Sequence, residues 1–250
     1  MQSAMASIIS ITSGKGGAGK STVAVGLGVA FARRNRRAVI VELDFGLRGL
    51  DLMLGMENRV VYDLGDVLEG RCAPGDAVAA AEWNPPVFYL AAPARQPAQL
   101  SQERLRECVA ALAEQYDVVL LDTPAGLGIS RMTVQQMADT AVIVTTPDPV
   151  CIRDGARVAG MMEESGFSRY RLLINRVSRT AVRKSSIQDL DDVIDGVGAQ
   201  LIGVLPEDAG LQSGQTRGLF PEESARISLI FSAISRRLEG EYVPLTIHRL

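Results

Sequence analysis

The stretch Gly14-Lys15-Gly16-Gly17-Ala18-Gly19-Lys20-Ser21 decides the fold reading, because it satisfies G-x-x-x-x-G-K-[ST] in the context that gives the pattern meaning. Before it lies the apolar, β-branched run Ile8–Thr12; after it, Lys20–Asn35 repeats Val23, Leu27, Ala30 and Phe31 at helical spacing. A strand, a glycine-rich turn and a helix in that order form a cradle for phosphate. The glycines let the backbone curl until successive N–H groups converge on one anion, and the helix N-terminus adds partial positive charge. Lys20 would bridge the β- and γ-phosphates of a nucleoside triphosphate. The Ser21 hydroxyl would ligate Mg2+, an ion that keeps most of its waters. The candidate phosphate contacts are therefore Gly14, Lys15, Gly16, Gly17, Ala18, Gly19, Lys20, Ser21 and Thr22.

Outward from this loop, further apolar runs alternate with longer helical patterns: Ala38–Leu43, Val87–Ala91, Val118–Leu121, Ala141–Thr145, Arg171–Ile174 and Leu201–Leu205. Runs apolar on both faces, joined by segments long enough for a crossover helix, are what a parallel sheet covered on both sides requires. Two more helices are expected. Ser101–Tyr116 opens at an N-cap serine, and Ser224–Leu238 carries Ile227, Ile230, Phe231, Ile234 and Leu238 along one stripe. The expected architecture is α/β: a three-layer P-loop NTPase fold with a mostly parallel central sheet and helices on both faces. The proline-containing stretches Asn84–Pro86 and Pro93–Pro97 are short enough to be loops, and no linker or repeat interrupts the series. The 250 residues are read as a single domain with a core from about residue 8 to 245.

Composition narrows the function classes. The chain is 47% hydrophobic, 22% charged and 5% aromatic, which excludes disordered and fibrous proteins. With 26 Lys and Arg against 29 Asp and Glu, its net charge of -3 provides no overall positive field to hold nucleic acid or an anionic membrane. Cys72, Cys108 and Cys151 form no C-x-x-C pair, which argues against a disulfide framework, a zinc site or a bound cluster and favours a reduced cytosol. No run of about 18 apolar residues occurs and the first residues lack a basic segment, so neither membrane insertion nor secretion is expected.

Val118-Val119-Leu120-Leu121-Asp122 is an apolar strand ending in a carboxylate, at the edge where a parallel sheet meets its ligands. Such an aspartate holds Mg2+ through water. Lys15 is not needed by the general pattern, and a second lysine there resembles the deviant Walker A loop of the MinD/ParA family of P-loop ATPases. The segments Asp44–Asp51, Val60–Asp63, Asp122–Gly126 and Pro206–Asp208 are similar to the division-site branch of that family, in the same order, over nearly the whole chain. The resemblance implies an ATP switch: ATP with Mg2+ closes a face-to-face homodimer, and slow hydrolysis to ADP and phosphate opens it. It implies that Lys15 reaches the partner's phosphates, that Asp44 orients the attacking water, and that Thr123 begins a segment sensing the γ-phosphate. Lys15, Lys20, Asp44 and Asp122 are then the catalytic residues, with Ser21 and, through water, Asp122 at the metal. Asn175 and Arg176 fall where the family contacts adenine, and Pro206, Glu207 and Asp208 line the same pocket. The partners implied are division regulators of the MinC and MinE type.

Three departures stand out. Glu42 occupies a position where the family usually has Asp, and its extra methylene would shift a contact near Mg2+; Gly49 stands where Asn is common. A basic amphipathic membrane helix normally closes the chain in this branch. Here the six residues after Pro244 would span only about 9 Å as a helix. The expectation is a short tail, 246–250, on a cytoplasmic protein that binds lipid weakly unless a tail is missing from this chain or a partner supplies the anchor. His248 is read as a tail residue. Arg33, Arg34, Arg36 and Arg37 are read as a solvated helix end, and Arg176, Arg179, Arg183 and Lys184 as a partner surface. DNA is not expected on either. Competing readings are a DNA-binding partition ATPase of the ParA type, a flagellar-number regulator and a non-hydrolysing scaffold. An electron-transferring iron protein fits badly, because the cysteines lack the flanking glycines of a cluster site.

Overall fold

A computed structural model describes residues 5–45, 48–93, 101–124, 136–178 and 189–245. Among these, eight strands form one sheet: β1 (Ser7–Thr12), β2 (Ala38–Glu42), β3 (Val78–Ala80), β4 (Phe88–Leu90), β5 (Val118–Asp122), β6 (Thr140–Thr145), β7 (Tyr170–Val177) and β8 (Leu201–Pro206). Their spatial order is β3-β4-β2-β5-β1-β6-β7-β8. All neighbours are parallel except β3, which runs antiparallel to β4. The seven apolar runs of the sequence correspond to β1, β2 and β4 to β8. The eighth strand, β3, escaped because Val78-Ala79-Ala80 is a short, half-buried edge with no alternation to read.

The helices are α1 (Lys20–Arg33), α2 (Leu50–Met53), α3 (Leu64–Leu68), α4 (Gln102–Ala113), α5 (Pro149–Glu164), α6 (Leu190–Val197), α7 (Ala209–Gln215) and α8 (Arg226–Leu238). Strand alternation sorts the core into two layers. Ile9, Ile11, Ile40, Leu120 and Val142 pack with α1 and α8 on one face. On the other, Val39, Val41, Val119 and Leu121 meet α3 and α4, while Ile143, Leu172 and Ile174 meet α5 and α6. Helices thus cover both faces of a mostly parallel sheet, the expected P-loop NTPase architecture.

One expectation is corrected in α1. The spacing of Val23, Leu27, Ala30 and Phe31 predicts one buried face, yet every residue from Val23 to Ala32 is buried. The cause is α8, which covers the side of α1 facing away from the sheet. Gly26 makes the approach close: a Cβ there would lie 2.2 Å from Cζ of Phe231. On the sheet side, a Cβ at Gly28 would sit 3.1 Å from Ile40 and Val87 side-chain atoms.

The basic group at the end of α1, expected as a solvated helix end, is so only in part: Arg37 is exposed, whereas Arg33, Arg34 and Arg36 are half-buried and paired. Arg34 pairs with Glu239 at 2.6 Å and Glu241 at 2.5 Å, and Arg36 with Glu239 at 2.9 Å. Arg33 donates to the Pro221 carbonyl at 2.7 Å, and the Arg37 guanidinium stands 4.9 Å from the Tyr116 ring centroid. These long guanidinium side chains tie the end of α1 to the residues that follow α8, to the loop before it and to the ring of Tyr116 after α4. Arg179, Arg183, Lys184, Gly46, Ala125, Gly126 and the tail 246–250 lie outside the described residues.

The tight seam between α1 and α8 makes a signed prediction. Gly to Ala inside a helix normally stabilises by roughly 0.5–1 kcal/mol. Gly26→Ala should instead destabilise by about 1–3 kcal/mol in urea unfolding, because the methyl meets a fully buried Phe231 ring. Adding Phe231→Leu should recover part of the loss.

Candidate nucleotide site

The loop between β1 and α1 needs backbone conformations that favour glycine. Gly19, the N-cap of α1, is left-handed at φ 94, and Gly17 has φ 82, both costly for residues with a Cβ. No acidic residue occupies the first turn and no side chain caps it, which suits this helix end to an anion. The loop is gripped from two sides. A Cβ at Gly14 would come within 2.4 Å of the Asp154 carbonyl on α5, and one at Gly19 within 2.2 Å of the Asn175 amide on β7. Asn175 is buried, donating Nδ2 to the Ala18 carbonyl at 2.9 Å and accepting from the Arg176 N–H at 2.9 Å. Both ends of its amide therefore serve backbone, a loop-shaping role that nothing in the sequence disclosed.

Buried polar groups converge beside the loop. Lys20 is 7% exposed, Glu42 2% and Asp122 1%. Asp122 pairs in register with Ile11 of β1 and Glu42 of β2, so the central strand carries its carboxylate to the foot of α1. Ser21 Oγ donates to Asp122 Oδ2 at 2.7 Å, while Oδ1, equally buried, has no protein partner. Burial raises the Asp122 pKa to about 7, the Ser21 hydrogen bond and Lys20 oppose the rise, and Glu42 and Asp44 add to it. A hydroxyl beside a carboxylate with one unsatisfied oxygen is a hard-oxygen set that fits a hydrated Mg2+. Asp44 follows β2, half-buried, near enough to act on the Asp122 charge. Thr123 turns inward, its hydroxyl donating to the Ile11 carbonyl at 2.9 Å.

Glu42 does not behave as a lengthened aspartate reaching toward a metal. Oε1 accepts from the N–H groups of Gly49 and Leu50 at 3.0 and 3.2 Å, and Oε2 from the Tyr89 hydroxyl at 2.5 Å and the Ala92 N–H at 3.3 Å. Its carboxylate is committed to four protein donors, which corrects the expected displacement of a contact near Mg2+.

Lys15 is exposed, in contrast to Lys20. At the other end of the site, β7 and β8 meet through the Val177–Pro206 pair, and the Glu207 N–H donates to the Val177 carbonyl at 3.0 Å. The end of β7, which carries Asn175 and Arg176, therefore runs alongside the end of β8 that leads into Glu207 and Asp208. Arg176 is exposed and left-handed at φ 55, where the β7–β8 register shifts. Asp208 caps α7, accepting from Leu211 N–H at 2.7 Å. α7 returns to the phosphate loop, where Thr22 Oγ1 donates to Gln215 Oε1 at 3.3 Å. Gln215 and Tyr89 went unnoticed in the sequence, because each touches the site from a distant segment with no local motif.

The raised pKa of Asp122 has a sign. Between its ordinary value of 3.8 and about 7, the native state keeps a proton that the unfolded chain has released, so nucleotide-free stability falls as pH rises through that window. Each unit of upward displacement costs about 1.4 kcal/mol above it. In thermal melts without nucleotide, Asp122→Asn should flatten this slope and raise the melting temperature at alkaline pH. An unchanged slope would show the proton to be elsewhere.

Known proteins with this arrangement are informative. The profile of the CobQ/CobB/MinD/ParA nucleotide binding domain matches residues 9–221. Septum site-determining protein MinD of Bacillus subtilis is 34% identical over 248 residues, covering 97% of this chain and 92% of its own. The MinC:MinD cell division protein complex of Aquifex aeolicus superposes with a TM-score of 0.87 at 33% identity, covering 98% of this chain and 100% of that one. MinD of Pyrococcus horikoshii, complexed with Mg-ADP, gives a TM-score of 0.80 at 28% identity, with 94% of this chain and 96% of that chain covered. On the match over residues 9–221 and the 34% identity over nearly its whole length, this chain belongs to the MinD/ParA family of nucleotide-binding ATPases, alongside the MinD septum site-determining proteins.

Proposed function

We propose that this chain is an ATP-operated dimerisation switch that helps place the division site. The observation that carries the reading is the split between the two lysines of one loop: Lys20 is buried beside Ser21 and Asp122, while Lys15 is exposed. A cation on the outer side of a phosphate cradle is positioned to serve a second copy, which makes association depend on the nucleotide. The relation to MinD of Bacillus subtilis supports the role in division, and the likeness to the MinC:MinD complex supports a partner of the MinC type. A stimulator of the MinE type completes the cycle by analogy. On this reading the switch works in the cytoplasm. Among the described residues, no helix is long and apolar enough to cross a membrane.

The loop amides and Lys20 hold the β- and γ-phosphates of ATP. Ser21 and, through water, Asp122 would hold Mg2+, which would supply neutralisation of charge on the phosphate oxygens. Asp44 orients the attacking water and takes its proton as the water oxygen bonds to the γ-phosphorus and the bond to the β-phosphate oxygen breaks, releasing ADP. Lys15 of the second copy stabilises the charge on the transferred group. The base sits between Arg176, above the Asn175 support, and the Pro206–Asp208 turn.

Light scattering with ATP, ADP or no nucleotide tests the switch. ATP alone should produce a dimer, Lys15→Ala should abolish it, and Asp44→Ala should prolong it while lowering phosphate release by at least roughly tenfold. A monomer under every condition, or an Asp44→Ala variant that turns over normally, would overturn the reading.

A further inference from the structure

We infer that Glu42 is a positioning residue for hydrolysis: its carboxylate ties Gly49 and Leu50 to Tyr89 and Ala92, and so closes the segment that carries Asp44. The inference rests on Asp44 as the group that orients the attacking water.

The segment leaves β2 immediately after Glu42 and returns to it at Gly49. At the outgoing end, the Leu43 N–H donates to the Asp122 carbonyl at 2.9 Å. At the returning end, Glu42 Oε1 accepts from two successive N–H groups, those of Gly49 and Leu50. One side chain therefore holds both ends of the excursion that contains Asp44, and its own backbone is the last residue of β2. The second oxygen continues the tie sideways, to the Tyr89 hydroxyl of β4 and to the Ala92 N–H just beyond that strand. Tyr89 is a standing donor, since burial and the adjacent Glu42 drive its pKa upward and keep the phenol protonated.

The far side of the same segment is equally constrained. Leu50 and Leu54 are fully buried, and a Cβ at Gly218 would lie 2.4 Å from Gly55 Cα, so α2 cannot drift toward the loop between α7 and α8. A third carboxylate beside Asp122 and Asp44 is electrostatically unfavourable and is tolerated only where donors saturate it. Four donors do so here. An aspartate at this position would be about 1.5 Å shorter and would reach one pair of donors at the expense of the other.

The test is single-turnover ATP hydrolysis with Mg2+, run beside fluorescent-ATP binding and thermal melting. Glu42→Asp should slow the chemical step by about tenfold while nucleotide affinity changes less than about twofold, since the phosphate loop itself is untouched. Glu42→Gln keeps the length and one acceptor oxygen and should recover part of the rate. Tyr89→Phe, which retains the buried ring, should lose less in the same direction and serves if Glu42→Asp melts early. Because Glu42 acts through Asp44, Glu42→Asp combined with Asp44→Ala should be no slower than Asp44→Ala alone. Parental turnover in Glu42→Asp, a loss confined to nucleotide affinity, or full additivity in the double variant would overturn the inference. If Asp44→Ala itself hydrolyses normally, the reading of Asp44 fails and the inference with it. Loss in Asp44→Ala with parental turnover in Glu42→Asp removes the inference alone.

Discussion

The burial of α1 on every side is the constraint on which the rest of the molecule depends. A helix with no polar face cannot lie on a surface, so it must be enclosed between the sheet and a second helix. The chain supplies that second helix nearly at its end, and the seam is close enough that Gly26 faces the Phe231 ring and Gly28 the Ile40 side chain. Enclosing α1 fixes its axis, and the axis fixes where its leading N–H groups point. The arginines at its far end, paired with Glu239 and Glu241, hold the same axis from the other terminus.

The phosphate end shows what that rigidity is used for. Three carboxylates meet at this end: Glu42 and Asp44 act on the charge of Asp122, whose own burial pushes it toward protonation. Each is handled differently. Glu42 is saturated by four donors, Asp122 keeps one oxygen without a partner, and Asp44 remains half-buried at the opening of a loop. A saturated carboxylate can only hold structure, whereas an unsatisfied one invites a cation. The division of labour among three chemically similar groups is therefore a matter of how many protein donors reach each.

Much of this was legible in the sequence because it is local. The phosphate loop, the helix that follows it and the apolar strands are short-range patterns, and the run from Val118 to Asp122 states its own position by ending in a charge. What escaped has a common cause. The short edge strand β3 has no periodicity, the enclosed outer face of α1 needs a partner more than 190 positions away, and the arginines after α1 look solvated until α8 is docked on them. Glu42 misled for the same reason: judged beside Asp44 it is a lengthened aspartate, and only the arrival of Tyr89 from β4 and Ala92 just after it shows it to be a tie.

The sequence by itself determined the class of ligand and the chemistry of the loop, since a glycine-rich turn between strand and helix, closed by Lys20 and Ser21, carries its backbone geometry with it wherever it is placed. Its second lysine and the ordered set of further motifs determined the family. Tertiary structure alone decided which polar groups are free and which are spent. Asn175 underpins Ala18, Glu42 closes the Asp44 segment, and Asp122 is left with an open oxygen. The physical reason is that hydrogen-bond saturation in a dry interior depends on donors contributed by remote strands, and no local pattern records which of them will arrive.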